Sequence, residues 1–147
     1  MHKITTAFVV GAAGLSLLLS ACGGEAKPTA AKSDAPAGGA AASVTTLTMQ
    51  DIKYDKAALT GTKGQALTIN LTNQGALEHD FTIDKIDGKA TVDGKDAKSA
   101  TAAVHAAVKS KGTAKVEITP NAAGTFEFYC TVAGHKEAGM KGTLTVN

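Results

Sequence analysis

Residues 124–140 read Gly-Thr-Phe-Glu-Phe-Tyr-Cys-Thr-Val-Ala-Gly-His-Lys-Glu-Ala-Gly-Met. The first half alternates, with Phe126, Phe128 and Cys130 on one side and Glu127 and Tyr129 on the other. Alternation of this kind is the period of a half-buried β-strand. The second half is a short loop of small residues, and Leu144 and Val146 resume the alternation beyond it. A strand, a tight loop and a returning strand thus carry a thiol, an imidazole and a thioether.

The same period recurs upstream. Leu67, Ile69 and Leu71 share one face of residues 66–72, and Val116 and Ile118 alternate with Lys115, Glu117 and Thr119. Leu77, His79, Phe81 and Ile83 also share a face. Residues 44–54 read as a first strand that breaks near Gln50-Asp51, where the apolar parity changes. Turn signals separate these runs: Thr60-Gly61, Asn73-Gln74-Gly75, Asp87-Gly88, Asp93-Gly94, Pro120-Asn121 and Gly124. Short strands at this spacing predict an all-β, Greek-key sandwich of about seven to eight strands. Residues 85–99 are polar and glycine-containing, and read as a surface excursion. In residues 100–109 helix propensity competes with the alternation of Val104, Ala106 and Val108, and the alternation predicts a short strand.

The sandwich does not need the whole chain of 147 residues. The start carries Lys3 and an apolar run from Ala7 to Leu19, shorter than the ~18–20 residues a membrane span needs. Small residues then precede Cys22, so residues 1–21 read as a secretory signal peptide. Leu19-Ser20-Ala21-Cys22 resembles the lipobox of bacterial lipoproteins, which implies cleavage before Cys22 and a lipid on its thiol. The expected product is exported, held to a membrane and facing the periplasm or the cell exterior. Residues 22–43 are mostly Ala, Gly, Lys, Pro and Ser with no large apolar side chain, and read as a flexible tether. Residues 44–147 remain for one domain of about one hundred residues, enough for a single small core.

The fifteen basic residues are all lysines, against thirteen acids, and no basic stripe interleaved with aromatics appears, so nucleic acid is not an expected partner. The chain has two cysteines, and with Cys22 assigned to lipid only Cys130 is left. A lone thiol in an exported domain asks for a special role, because oxidising compartments pair or lose free thiols.

Strand parity points His79 and Cys130 into the sandwich near one end of their apolar rows. The loop after Cys130 returns His135 and Met140 to the same end. Two imidazoles, one thiolate and a weak thioether form the donor set of a mononuclear blue-copper centre, whose trigonal geometry suits both Cu(I) and Cu(II). Structural zinc uses more thiolates and closely spaced pairs, and Met is a poor zinc ligand. Taken singly, Cys130 reads as an inert core thiol, Met140 as a gap filler and His135 as a loop residue, and only their conjunction with His79 decides for the metal. His105 alternates against Val104 and Ala106 and reads as solvent-facing. Met49 reads as core, Lys136 and Glu137 as a solvated loop tip, and the lysines of residues 85–98 as a solvated loop.

Residues 44–147 resemble the blue-copper proteins, or cupredoxins, of the plastocyanin and auracyanin type. The likeness is strongest in residues 124–130 and 135–142 and in the Cys-x4-His-x4-Met spacing. It implies one type 1 copper per chain, with His79, Cys130 and His135 equatorial and Met140 axial. It further implies a hydrogen bond from Asp80, where relatives often carry Asn, toward the Cys loop at Thr131. Ala133 stands where relatives commonly have Pro, and Glu78 rather than Gly precedes His79, which argues against a fifth, carbonyl ligand. The implied activity is single-electron transfer by a monomer, without catalysis, to redox proteins that dock transiently near His135. An exported copper-binding or copper-delivery protein of the same fold is the rival reading. A metal-free adhesive sandwich is a third, and it has no use for Cys130.

Overall fold

The computed structural model describes residues 42–147. The expected signal peptide (residues 1–21), the expected tether through residue 41 and Cys22, the expected lipidation site, lie outside the described residues. Eleven strands are present among the described residues, and no helix. They are β1 (Ser43–Gln50), β2 (Lys53–Tyr54), β3 (Ala58–Gly61), β4 (Leu67–Asn73), β5 (His79–Ile83), β6 (Gly88–Val92), β7 (Lys95–Asp96), β8 (Val104–Val108), β9 (Thr113–Pro120), β10 (Gly124–Tyr129) and β11 (Lys141–Val146).

Two mixed sheets face each other. One has the order β2-β1-β4-β9-β6-β7, the other β3-β11-β10-β5-β8. Consecutive strands cross repeatedly from one sheet to the other, as in a Greek-key sandwich. The pairs β1–β4 and β11–β3 are parallel, and the remaining pairs are antiparallel. Leu47, Leu67, Ile69, Leu71, Val116 and Ile118 from the first sheet meet Phe81, Ile83, Val104, Phe128, Leu144 and Val146 from the second. The rows expected from alternation are thus the rows that form the core.

Three expectations need correction. Leu77 does not share the buried face of β5 but is 56% exposed. The strand begins only at His79, and residues 74–78 turn out of the sheet, held by Asn73 Nδ2, which donates to the Leu77 carbonyl at 2.8 Å. Residues 85–99 are not a mere excursion, because β6 and β7 form an edge hairpin on β9. Its Asp93-Gly94 turn has φ of 49° and 77°, the paired positive values of a tight type I′ connection, and the hairpin adds two short strands to a count that exceeds the expected seven to eight. His105 lies on the outer face as its parity requires, yet it is half-covered and bonded to Thr82. In residues 100–109 the expected short strand is β8.

Two aromatic contacts stiffen the core beneath the end where β5 begins. The rings of Phe81 and Phe128 stack at 5.1 Å, and Tyr54 meets Phe128 edge-on at 5.3 Å. Such pairs contribute about 0.5–1.5 kcal/mol beyond their buried area. Gly142 makes room for this packing, since a side chain there would run into the Phe128 ring and the Ala57 carbonyl.

Candidate metal centre

The centre is assembled from three pieces of chain. β5 supplies His79 at its first residue, β10 runs directly into Cys130, and the following loop supplies His135 and Met140. All four side chains are buried, with His79, Cys130 and Met140 at 0% exposure and His135 at 6%. His79 Nδ1 lies 3.2 Å from His135 Nδ1, and His135 Nδ1 lies 3.5 Å from Cys130 Sγ. The three donor atoms all lie within 4.8 Å of one another.

Backbone bonds wind the loop into successive turns. His135 N donates to the Val132 carbonyl at 3.0 Å, Ala138 N to Gly134 at 3.0 Å, and Met140 N to His135 at 2.9 Å. Cys130 N then donates to the Met140 carbonyl at 3.1 Å and seals the loop, which sets Met140 beside Cys130. Gly134 and Gly139 take φ of 80° and 102°, the left-handed region that glycine enters without strain. Lys136 is no loose tip: its Nζ pairs with Glu127 at 2.5 Å and sits 3.7 Å from the Tyr129 ring centroid.

A second set of contacts surrounds the donors. Asp80 accepts the Thr131 N–H on both oxygens at 3.0 Å and the Thr131 hydroxyl at 2.7 Å. Asp80 Oδ2 stands 3.8 Å from Cys130 Sγ. Three residues that sequence reading passed over also serve here. Thr82 donates to Asp80 Oδ1 at 2.7 Å, and the Tyr54 hydroxyl donates to the Asp80 carbonyl at 2.6 Å. Asn73 braces the approach to His79 by donating to the Leu77 carbonyl at 2.8 Å and the Val108 carbonyl at 2.9 Å. The local signals were that Asn73 continues the inward row of Leu67, Ile69 and Leu71, and that Thr82 is polar between Phe81 and Ile83.

Electrostatics suit a metal. Burial, and then the neighbouring His135 ring, hold His79 below its ordinary pKa, so the imidazole stays neutral and keeps a lone pair. Burial pushes the Cys130 thiol up, so a metal must displace its proton to bind. Two ring nitrogens at 3.2 Å need something positive between them, a shared proton or an ion. A trigonal ion with bonds of about 2.0–2.3 Å spans donor-to-donor edges of about 3.5–3.7 Å, close to the distances found. His79 Nε2 is buried with no hydrogen-bond partner among the described residues, so this ring is held by packing and by whatever binds at Nδ1. The donors, their spacing and their softness fit a single copper ion of the type 1 kind.

Residues 17–146 match the family model of the cupredoxin-like domain, and the chain belongs to that family. It is 30% identical over 103 residues to the copper-resistant cuproprotein CopI of Rubrivivax gelatinosus, across 65% of this chain and 60% of that protein. The chain therefore spans less than two thirds of that curated relative. Among solved structures, dithionite-reduced auracyanin from Roseiflexus castenholzii aligns with a TM-score of 0.57 and 23% identity, over 74% of this chain and 99% of that one. A multi-copper oxidase from Pediococcus acidilactici aligns with a TM-score of 0.55 and 14% identity, over 72% of this chain and 26% of that one. These structural likenesses speak for the fold.

Proposed function

We propose that this domain is a single-electron carrier in which His79, Cys130 and His135 hold one copper ion and Met140 is its weak axial donor. The observation that carries the reading is the preassembled trio of buried donor atoms within 4.8 Å of one another. When bound, copper supplies one-electron exchange between Cu(I) and Cu(II). The chain's part is to keep that exchange cheap in reorganisation. His79 is locked by the core beneath it, Cys130 by its backbone bond to Met140, and the pair by Asp80 and Thr131. Burial excludes water, and four protein donors leave no open position for a substrate, which favours a carrier over an enzyme. His135 is the ligand nearest solvent, in a loop of exposed Ala133, Gly134, Ala138 and Gly139, so we place the transient docking of redox partners there.

The test is one visible spectrum of the oxidised, copper-loaded domain. An intense thiolate-to-copper band that bleaches on reduction is expected, and a pale cupric spectrum at full loading would sink the carrier reading. The likeness to CopI supports a second reading, copper binding or delivery. A delivery protein would surrender Cu(I) to a competing chelator within minutes, whereas a carrier retains it. For location we propose export and lipid attachment at Cys22, checked by the intact mass of membrane-extracted protein with and without Cys22→Ser.

A further inference from the structure

His105 lies outside the donor set but is joined to it. The β5–β8 pairing sets Thr82 opposite His105, with both side chains on the outer face of their sheet. His105 Nδ1 lies 2.9 Å from Thr82 Oγ1, and Thr82 Oγ1 lies 2.7 Å from Asp80 Oδ1. Asp80 in turn reaches Thr131 and stands 3.8 Å from Cys130 Sγ. A continuous chain of contacts therefore runs from a half-exposed ring to the sulfur of the metal centre.

Counting protons fixes its direction. The Asp80 carboxylate only accepts. Thr82 has one hydroxyl proton and donates it to Asp80. His105 Nδ1 must then be the donor to Thr82, which leaves Nε2 as the basic atom of the ring. Thr82 is 2% exposed and Asp80 3%, so the inner links are shielded from water, and aligned bonds in such surroundings polarise one another.

We propose that His105 is a positioning residue for the copper site, orienting Asp80 through Thr82 and passing its own charge to the site along that chain. The inference rests on the copper reading. With Nε2 protonated, the ring is a cation at the head of the chain and disfavours the more positive, oxidised state. Protonation of His105 therefore raises the reduction potential. By reciprocity, reduction tightens proton binding at Nε2, by about fivefold if the coupling lies at the low end of the ordinary range. The balance is simple: one electron enters from a one-electron donor, and up to one proton enters from water onto Nε2.

Other charged groups on this face are accounted for. Tyr129 pairs with Thr82 on the other flank, with its hydroxyl on Asp84 at 2.6 Å and its ring under Lys136, which Glu127 holds. Asp96 and Lys98 flank Ala97, whose carbonyl accepts the His105 N–H at 3.0 Å. Of these residue types only histidine ordinarily changes charge between about pH 5 and 8.

The test uses the full domain in two forms. In the copper-free protein, nitrogen NMR of the neutral His105 ring should show the Nδ1–H tautomer. In the copper-loaded protein, the potential should fall as pH rises between about 5 and 8, the range in which histidine ordinarily changes charge. His105→Asn keeps a donor toward Thr82 without a titrating charge, so it should preserve the spectrum and lose that part of the pH profile. Thr82→Val keeps the charged ring but cuts the chain, and should flatten the profile while shifting the charge-transfer band. A wild-type domain without that band overturns the copper reading and this inference together. With the band present, an Nε2–H tautomer, or a pH profile unchanged in His105→Asn, overturns this inference alone.

Discussion

Strands β4 and β5 follow one another in the chain, lie in opposite sheets and are buried in opposite ways. Along β4 buried and half-exposed residues alternate without a break, whereas all five residues of β5 are buried. The outer row of β4, Thr68, Asn70 and Thr72, meets solvent in part, so many strand-forming polar residues would serve there. The outer row of β5, Asp80 and Thr82, is committed to named partners at hydrogen-bond distance. A strand with a polar second face that is nonetheless buried is doing more than closing a core. In this fold it is the strand that opens on the metal centre.

The largest effect that could break this comparison is a spectroscopic one. Cys130→Ala should abolish the thiolate band, and His79→Ala, at the head of β5, should nearly do so because no water can take its buried place. Leu71→Ala on β4 should cost about 2–5 kcal/mol of stability, read by denaturant unfolding, and leave the band intact. A bleached Leu71→Ala protein would mean that the two strands are not separable in role. His135→Gly should recover part of its colour when imidazole is added, since its side chain is the least enclosed of the donors.

Next in size is the outer row. Asp80→Ala leaves the Thr131 N–H and hydroxyl and the Thr82 hydroxyl without their acceptor, at a cost of about 3 kcal/mol or more. Thr68→Ala on β4 should stay within about 0.5 kcal/mol. Equal losses in the two variants, measured by urea unfolding, would erase the contrast.

Met140→Leu should be gentler still. The colour is kept and the reduction potential rises, because loss of a donor disfavours Cu(II) more than Cu(I). A fall in potential, measured by redox titration, would remove Met140 from the axial role.

The smallest effect concerns Tyr129. Its bond to Asp84, then burial, push its phenol up to about 12. Folded protein thus holds this proton where unfolded protein has released it. The resulting stability is complete below about pH 10, the ordinary phenol value, and is lost as pH rises toward about 12. Tyr129→Phe should lose that pH dependence, followed by thermal unfolding between about pH 8 and 11.

Much of this was legible in the sequence, for a local reason. Alternation states which face each residue occupies, so the core rows of β4, β9 and β10 could be read directly, as could the inward parity of His79 and Cys130. Glycine turns and the Cys-x4-His-x4-Met spacing are local as well. Which partner a buried polar side chain meets is not local. Asn73 reaches Val108, Asp80 reaches Thr131 and Thr82 meets His105 across sequence separations of 35, 51 and 23 residues. Nothing near His105 distinguishes a ring bonded to a buried threonine from one in water. The β6–β7 hairpin was hidden differently, since its exposed lysines and glycines look like loop while Asp93-Gly94 alone carries its turn.

The parallel register of β1 on β4 has a mechanical consequence. Ser43 pairs with Leu67 at one pole and Met49 with Asn73 at the other, next to the metal centre. β11 leaves that centre at Lys141 and runs back until Val146 pairs with Gly124. Chain upstream of residue 42 and chain at residue 147 therefore join the domain at the same foot, about 20 Å of strand away from the His135 loop. A pull on either end loads the β1–β4 and β10–β11 ladders at the foot and spares the loop. The foot and the His135 face are opposite poles of the domain: whatever grips it by its ends leaves the His135 face unencumbered.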